Sequence, residues 1–178
     1  MNDISVNDRL ISASVIACAE SGRKPLTALL GRYGLELHWL APEAPIDGSF
    51  WGGSEAGLVA NRLLLRDDTP VHSALHEACH YVCMDGERRS GLHTEAGGDD
   101  LEECAVCYLQ IVLADYLPGI GKARMFADMD IWGYSFRLGA ARAWFEQDAE
   151  DAYGWLLGQG LIDPAGKPTW RLRGAAYT

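Results

Sequence analysis

The chain has 178 residues, 48% of them hydrophobic, and its 15 Lys+Arg against 25 Asp+Glu give a formal net charge of −10. That length and composition suit one domain with a core of its own and exclude a disordered chain. A pI of about 4.8 argues against direct nucleic-acid binding and against an anionic membrane surface, because both draw on clustered Lys and Arg.

Five cysteines are an odd set, and Met1 to Leu10 is polar and acidic where a leader would be basic and then apolar. A secreted disulfide scaffold is not expected, and the chain reads as cytoplasmic with free thiols. The most apolar stretch, Cys104 to Leu117, is interrupted by Gln110 and Asp115 and falls short of the ~20 residues a bilayer needs.

In chain order, Ser5 to Glu20 spaces Val6, Leu10, Ile11, Val15 and Cys18 at helical intervals and stops at Ser21-Gly22. A short helix from Leu26 to Tyr33 follows, closed by Gly34. Leu35 to Leu40 alternates apolar and polar residues like a half-buried strand, and Gly48 to Trp51 and Leu58 to Leu65 are two further strand candidates. After Asp67 the pattern turns helical. Thr69 or Asp68 caps a helix with Pro70 at its first position, running to about Met84. A glycine-rich loop, Asp85 to Asp99, leads to the most apolar helix, Asp100 to Leu117, whose surface implies burial on most sides. Helices at about Lys122 to Met129, Ser135 to Asp148 and Ala149 to Leu157 precede a polar tail after Asp163.

One string carries chemistry: His76-Glu77-Ala78-Cys79-His80, the pattern H-E-x-x-H inside an expected helix. Residues four apart share a helix face, so both imidazoles can reach one Zn²⁺ at ~2.0–2.1 Å. Glu77, next to the first histidine, is placed to take a proton from water and pass it to a leaving amine. A shuffle of this composition yields the pattern about once in a hundred chains, so context must add weight. Here Asp99, Asp100, Glu102 and Glu103 open the next helix, and a metal would neutralise an acid that is costly to bury alone.

Glu103 is the expected third ligand, because Cys107 one turn on and Gln110 two turns on give that stripe a polar, site-facing character. Glu102, Asp99, Asp100 and His93 stay open as rivals. His72 sits one turn before His76, and the helical drift of about 40° per four residues assigns it a supporting role. Cys79-x3-Cys83 and Cys104-x2-Cys107 fall inside expected helices, which reads as small buried hydrophobes better than as a four-thiolate zinc site or a redox pair. A strand from Leu58 to Leu65, if it lies at the sheet edge, offers an extended peptide main-chain pairing.

The runs Ile46-Asp47-Gly48-Ser49-Phe50-Trp51 and Gly57-Leu58-Val59-Ala60-Asn61, then Arg66 through Thr69 to the H-E-x-x-H helix, resemble the ImmA/IrrE-like zinc metallopeptidases of the gluzincin group. The likeness covers roughly Leu26 to Leu117. It implies His76 and His80 as zinc ligands, Glu77 as general base, an acidic third ligand from Asp99 to Glu103, and a regulatory protein as a possible substrate.

The combined expectation is an α+β, zincin-like minimal metalloprotease domain: a small three-stranded sheet packed on an active-site helix, with a helical C-terminal part. Residues 1–178 form a single domain, with a core at 26–117 and an extension at 119–178. The expected function is a Zn²⁺-dependent hydrolase, a peptidase acting on a protein or peptide; the alternative is a non-catalytic regulatory or binding protein that keeps the fold.

Overall fold

A computed structural model describes residues 14–49 and 53–176. Its elements are mixed α and β, with the strands confined to the first half and helices carrying the rest. In chain order they are α1 (Cys18–Ser21), α2 (Arg23–Gly31), β1 (Glu36–Trp39), β2 (Gly57–Val59), β3 (Arg62–Leu65), α3 (Val71–Cys83), α4 (Gly86–Ser90), α5 (Asp100–Ala114), α6 (Gly121–Trp132), α7 (Ala141–Gln147) and α8 (Glu150–Gly158).

Most of the helix expected over Ser5 to Glu20 lies outside the described residues. Its described end is the single turn α1, because the backbone just before it pairs elsewhere. Ala17 bridges to Pro70, and the N–H groups of Cys18 and Ala19 donate to Thr69 and Asp67. In α2, Leu26, Leu29 and Leu30 are buried at i, i+3 and i+4, the spacing of one helical face.

The sheet has the order β1-β3-β2, with β1 parallel and β2 antiparallel to β3. The single strand expected over Leu58 to Leu65 is therefore a hairpin. It turns at Ala60-Asn61, where Ala60 takes φ 54°, a left-handed conformation unusual for a residue with a side chain. The strand expected over Gly48 to Trp51 does not form in its described part: Asp47-Gly48 is a turn, Gly48 has φ 89°, and Ser49 donates back to the Ile46 carbonyl. Residues 50 and 51 lie outside the described set. That turn presses on β2 so closely that a Cβ on Gly57 would sit 1.8 Å from the Asp47 carbonyl oxygen.

The outer side of β2 is also occupied. Thr94 donates to the Leu58 carbonyl at 2.7 Å, Ala60 donates to Leu92 at 3.0 Å, and Val59 bridges to His93. The main-chain edge expected to hold a peptide is thus filled by the chain's own segment, Leu92 to Thr94.

Helix α3 begins at Val71 with Pro70 as its N-cap in extended conformation, one position later than expected, and Thr69 Oγ1 serves the preceding turn by accepting from the Arg66 N–H. Leu75, Ala78, Cys79, Val82 and Cys83 are all sealed from solvent where α3 packs on α5, and α5 in turn packs on α6 and α8. Inside the loop expected between these helices stands α4, capped by Asp85 Oδ1 accepting from the Arg88 N–H at 2.9 Å. Asp99 caps α5 in the same way, accepting from Glu102 N–H at 2.9 Å.

The C-terminal helices follow the expected periods, except that α7 starts at Ala141 and not near Ser135, because Leu138 and Gly139 both take positive φ. The segment beyond α8 packs back on the core, and the polar tail expected after Asp163 is tied down at Arg173. Leu161 and Ile162 are buried, Arg173 N–H donates to the Val82 carbonyl, and the Arg173 guanidinium donates to Cys83 O and Glu102. Buried apolar residues from Cys18 to Ile162 belong to one continuous cluster. Among the described residues, no helix is long and apolar enough to cross a membrane.

Candidate metal centre

Three histidines stand on successive turns of α3, and the first turn of α5 comes alongside them. His76 Nε2 and His80 Nε2 are 3.1 Å apart. Glu103 reaches both, with Oε1 3.1 Å from His76 Nε2 and Oε2 3.2 Å from His80 Nε2. These three residues are the one group of metal-capable side chains among the described residues whose ligand atoms converge, all within 4.8 Å of one another.

Those separations fit a cation. Two ligands each ~2.0–2.1 Å from a tetrahedral zinc stand about 3.3 Å apart, close to the 3.1 and 3.2 Å observed. Two imidazole nitrogens facing one another beside a carboxylate cannot all be bare acceptors. A proton or a metal ion must lie among them, and the N, N, O donor set suits zinc.

The protonation pattern of His76 follows from its partners. Gln110, fully buried, donates from Nε2 to the His72 carbonyl at 3.0 Å, which identifies the other end of its amide as oxygen. That oxygen lies 2.9 Å from His76 Nδ1, so Nδ1–H donates and Nε2 is the ring nitrogen turned toward His80 and Glu103. Burial works against a charged His76, yet Tyr134, Cys107 and Glu103 outweigh it and hold its pKa well above the ordinary value. Hydrogen bonds to His76 and His80 hold Glu103 well below the usual carboxylate range. The stripe Glu103, Cys107, Gln110 thus faces the histidines as a unit.

The rival acids go elsewhere. Glu102 points away into a buried ion pair with Arg88 at 2.5 Å and Arg173 at 3.1 Å, so its neighbour alone serves the histidines. Asp99 is spent on the helix cap, Asp100 is exposed, and His93 is exposed on the segment covering β2. Cys79, Cys83 and Cys107 are buried, Cys104 is partly exposed, and all four are free thiols. Burial pushes the Cys79 and Cys83 thiols up, and for Cys83 the Glu102 charge adds to it, the reverse of a thiolate site.

Beside the histidine pair lies a cavity of about 260 Å³ lined by Glu77 and Glu103, with Glu55, His72, Trp132 and Tyr134 among its other walls. Burial raises the pKa of Glu77, the nearby His80 and His76 lower it, and Glu103 and Glu55 raise it again. His72 is deeply buried with Nδ1 3.1 Å from the Tyr134 hydroxyl, and burial, with His76 nearby, lowers its pKa to about 3. Burial pushes Tyr134 up to about 12. Glu55, Trp132 and Tyr134 come from a loop, the end of α6 and the segment after it, and carry no motif by which sequence reading finds them.

Comparison with known proteins places no relative beside this geometry: no family model, no curated protein and no solved structure matches the chain.

Proposed function

We propose that the protein is a zinc-dependent hydrolase acting on a peptide or protein, related in mechanism to the zincin metallopeptidases that its sequence resembles. One observation supports this reading above the rest. His76, His80 and Glu103 bring two imidazole nitrogens and a carboxylate to one point, at the wall of a cavity that also holds Glu77. His76, His80 and Glu103 would hold the metal, and Gln110 would keep the His76 Nε2 lone pair directed at it. Zinc in such a site supplies Lewis acidity, which makes water a nucleophile near neutral pH and polarises a carbonyl.

The rest falls to the chain's own groups. Glu77 removes the proton of the attacking water, and burial, by raising its pKa, makes it a stronger base than an exposed glutamate. The same carboxyl then returns the proton to the leaving amine. Glu103, paired to both histidines, keeps its charge and leaves the proton work to Glu77.

The test separates metal binding from turnover. Peptide-library digestion with zinc-loaded protein should give cleavage, and Glu77→Gln should remove at least ~10³-fold of the rate while retaining about one zinc per chain. Full activity in that variant would contradict the role given to Glu77. Zinc bound with no cleavage of any peptide or protein would favour the non-catalytic reading.

A further inference from the structure

The cavity beside the histidine pair is unbalanced in charge. Its walls hold three carboxylates, Glu55, Glu77 and Glu103, and no Lys or Arg among the described residues. Glu103 is bonded to His76 and His80, and Glu77 lies close enough to the same histidines to feel both. Glu55 has no ion pair or hydrogen bond among the described residues and is left facing Glu77 across the cavity. The remaining wall sets Trp132 and Tyr134 among Ser73 and small residues, and the face of an indole or phenol attracts a cation.

A second feature of the same cavity lacks a partner. Tyr134 receives an N–H from Gln110 at 3.4 Å and shares a hydrogen bond with His72 Nδ1 at 3.1 Å, which leaves Nε2 as the other ring nitrogen of His72. That Nε2 is buried and has no hydrogen-bond partner among the described residues, in a side chain 1% exposed that lines the cavity. A substrate that supplies a main-chain N–H or carbonyl and a positive charge satisfies both deficits. A peptide with a basic side chain does so.

Resting on the hydrolase reading above, we propose that this cavity is a specificity pocket for a Lys or Arg side chain of the peptide, with Glu55 as its counter-ion. Trp132 and Tyr134 flank the cation, and the chain's net charge of −10 draws basic segments toward it. Neutral His72 adds no repulsion, and the closed outer side of β2 leaves recognition to the side-chain pocket.

Binding, measured apart from cleavage, tests this. Acetyl-Ala-Xaa-Ala-amide peptides with Xaa = Arg, Lys, norleucine or Glu are titrated into the chelator-treated full chain and into zinc-loaded Glu77→Gln, with binding followed by calorimetry. The Arg and Lys peptides should bind at least ~10-fold more tightly than norleucine, and the Glu peptide most weakly. Glu55→Gln should erase that ratio without weakening the norleucine peptide, and Glu55→Asp should restore part of it. Equal binding of Arg, Lys and norleucine, a ratio that survives Glu55→Gln, or no measurable binding of any peptide overturns the pocket. A basic preference with no cleavage by the zinc-loaded wild type removes the hydrolase reading and leaves the pocket standing, and cleavage indifferent to basic residues does the reverse.

Discussion

Two adjacent glutamates divide the work at the start of α5. Glu103 sits half-exposed between two histidines, and Glu102, 6% exposed, sits between two arginines. One position of sequence rotates a side chain by about 100° around a helix, and that rotation separates the proposed zinc ligand from a clamp. Glu103→Ala should lower zinc affinity by more than the ~10–100-fold typical of an outer partner, at a smaller cost to the metal-free protein, where the half-exposed carboxylate loses its bonds to His76 and His80. Glu102→Ala should do the opposite, removing about 2–3 kcal/mol, since Arg88 and Arg173 stay partly solvated after losing their partner. Chelator competition and denaturant melts of the two variants check the contrast. His72 makes a second residue-scale prediction. Its folded pKa of about 3 lies below the unfolded value of ~6.5, so the unfolded chain binds more protons between those limits. Its contribution is complete above pH ~6.5 and is lost as the pH falls. Between pH 7 and 5 it should cost the wild type about 2 kcal/mol, and that slope should be missing in His72→Gln when denaturation midpoints are compared across pH.

Among the elements, the long helices are legible in the sequence, and the division of the strands is not. The helix carrying His76 and His80 announces itself by apolar residues at helical spacing on both sides of the motif, and the stripe Glu103, Cys107, Gln110 is readable because helical geometry is fixed by local spacing. The Leu58 to Leu65 run reads as one strand because its turn, Ala60-Asn61, contains no glycine or proline, and the positive φ at Ala60 comes from pairing on both sides of the hairpin. The short helix α4 is hidden for the opposite reason, since Gly86 opens it and Gly91 closes it and the stretch reads as loop. Glu55, Trp132 and Tyr134 could not be found from spacing at all, because tertiary packing alone brings three distant segments to one cavity. Gly57 tests the hairpin's setting: Gly57→Ala places a methyl on the Asp47 carbonyl and should destabilise by about 3 kcal/mol or more, as overpacking against backbone does. A melting temperature within a degree or two of wild type would contradict that packing.

Across the whole molecule, the sheet and α1 to α3 frame one side of the site, and the C-terminal segment holds the other. Arg173 ties the last stretch of chain to the end of α3 and, through Glu102, to the start of α5. The elements after residue 119, expected as an extension, therefore help fix the distance between the two helices that carry His76, His80 and Glu103. The net negative charge acquires a location in the same way, with three carboxylates gathered in one cavity. Diffraction from zinc-grown crystals at wavelengths on either side of the zinc absorption edge decides whether these two helices build a zinc site. A single anomalous peak should lie within about 2.0–2.2 Å of His76 Nε2, His80 Nε2 and a Glu103 carboxylate oxygen. No peak there, or a peak held by Cys79 and Cys83, would contradict it.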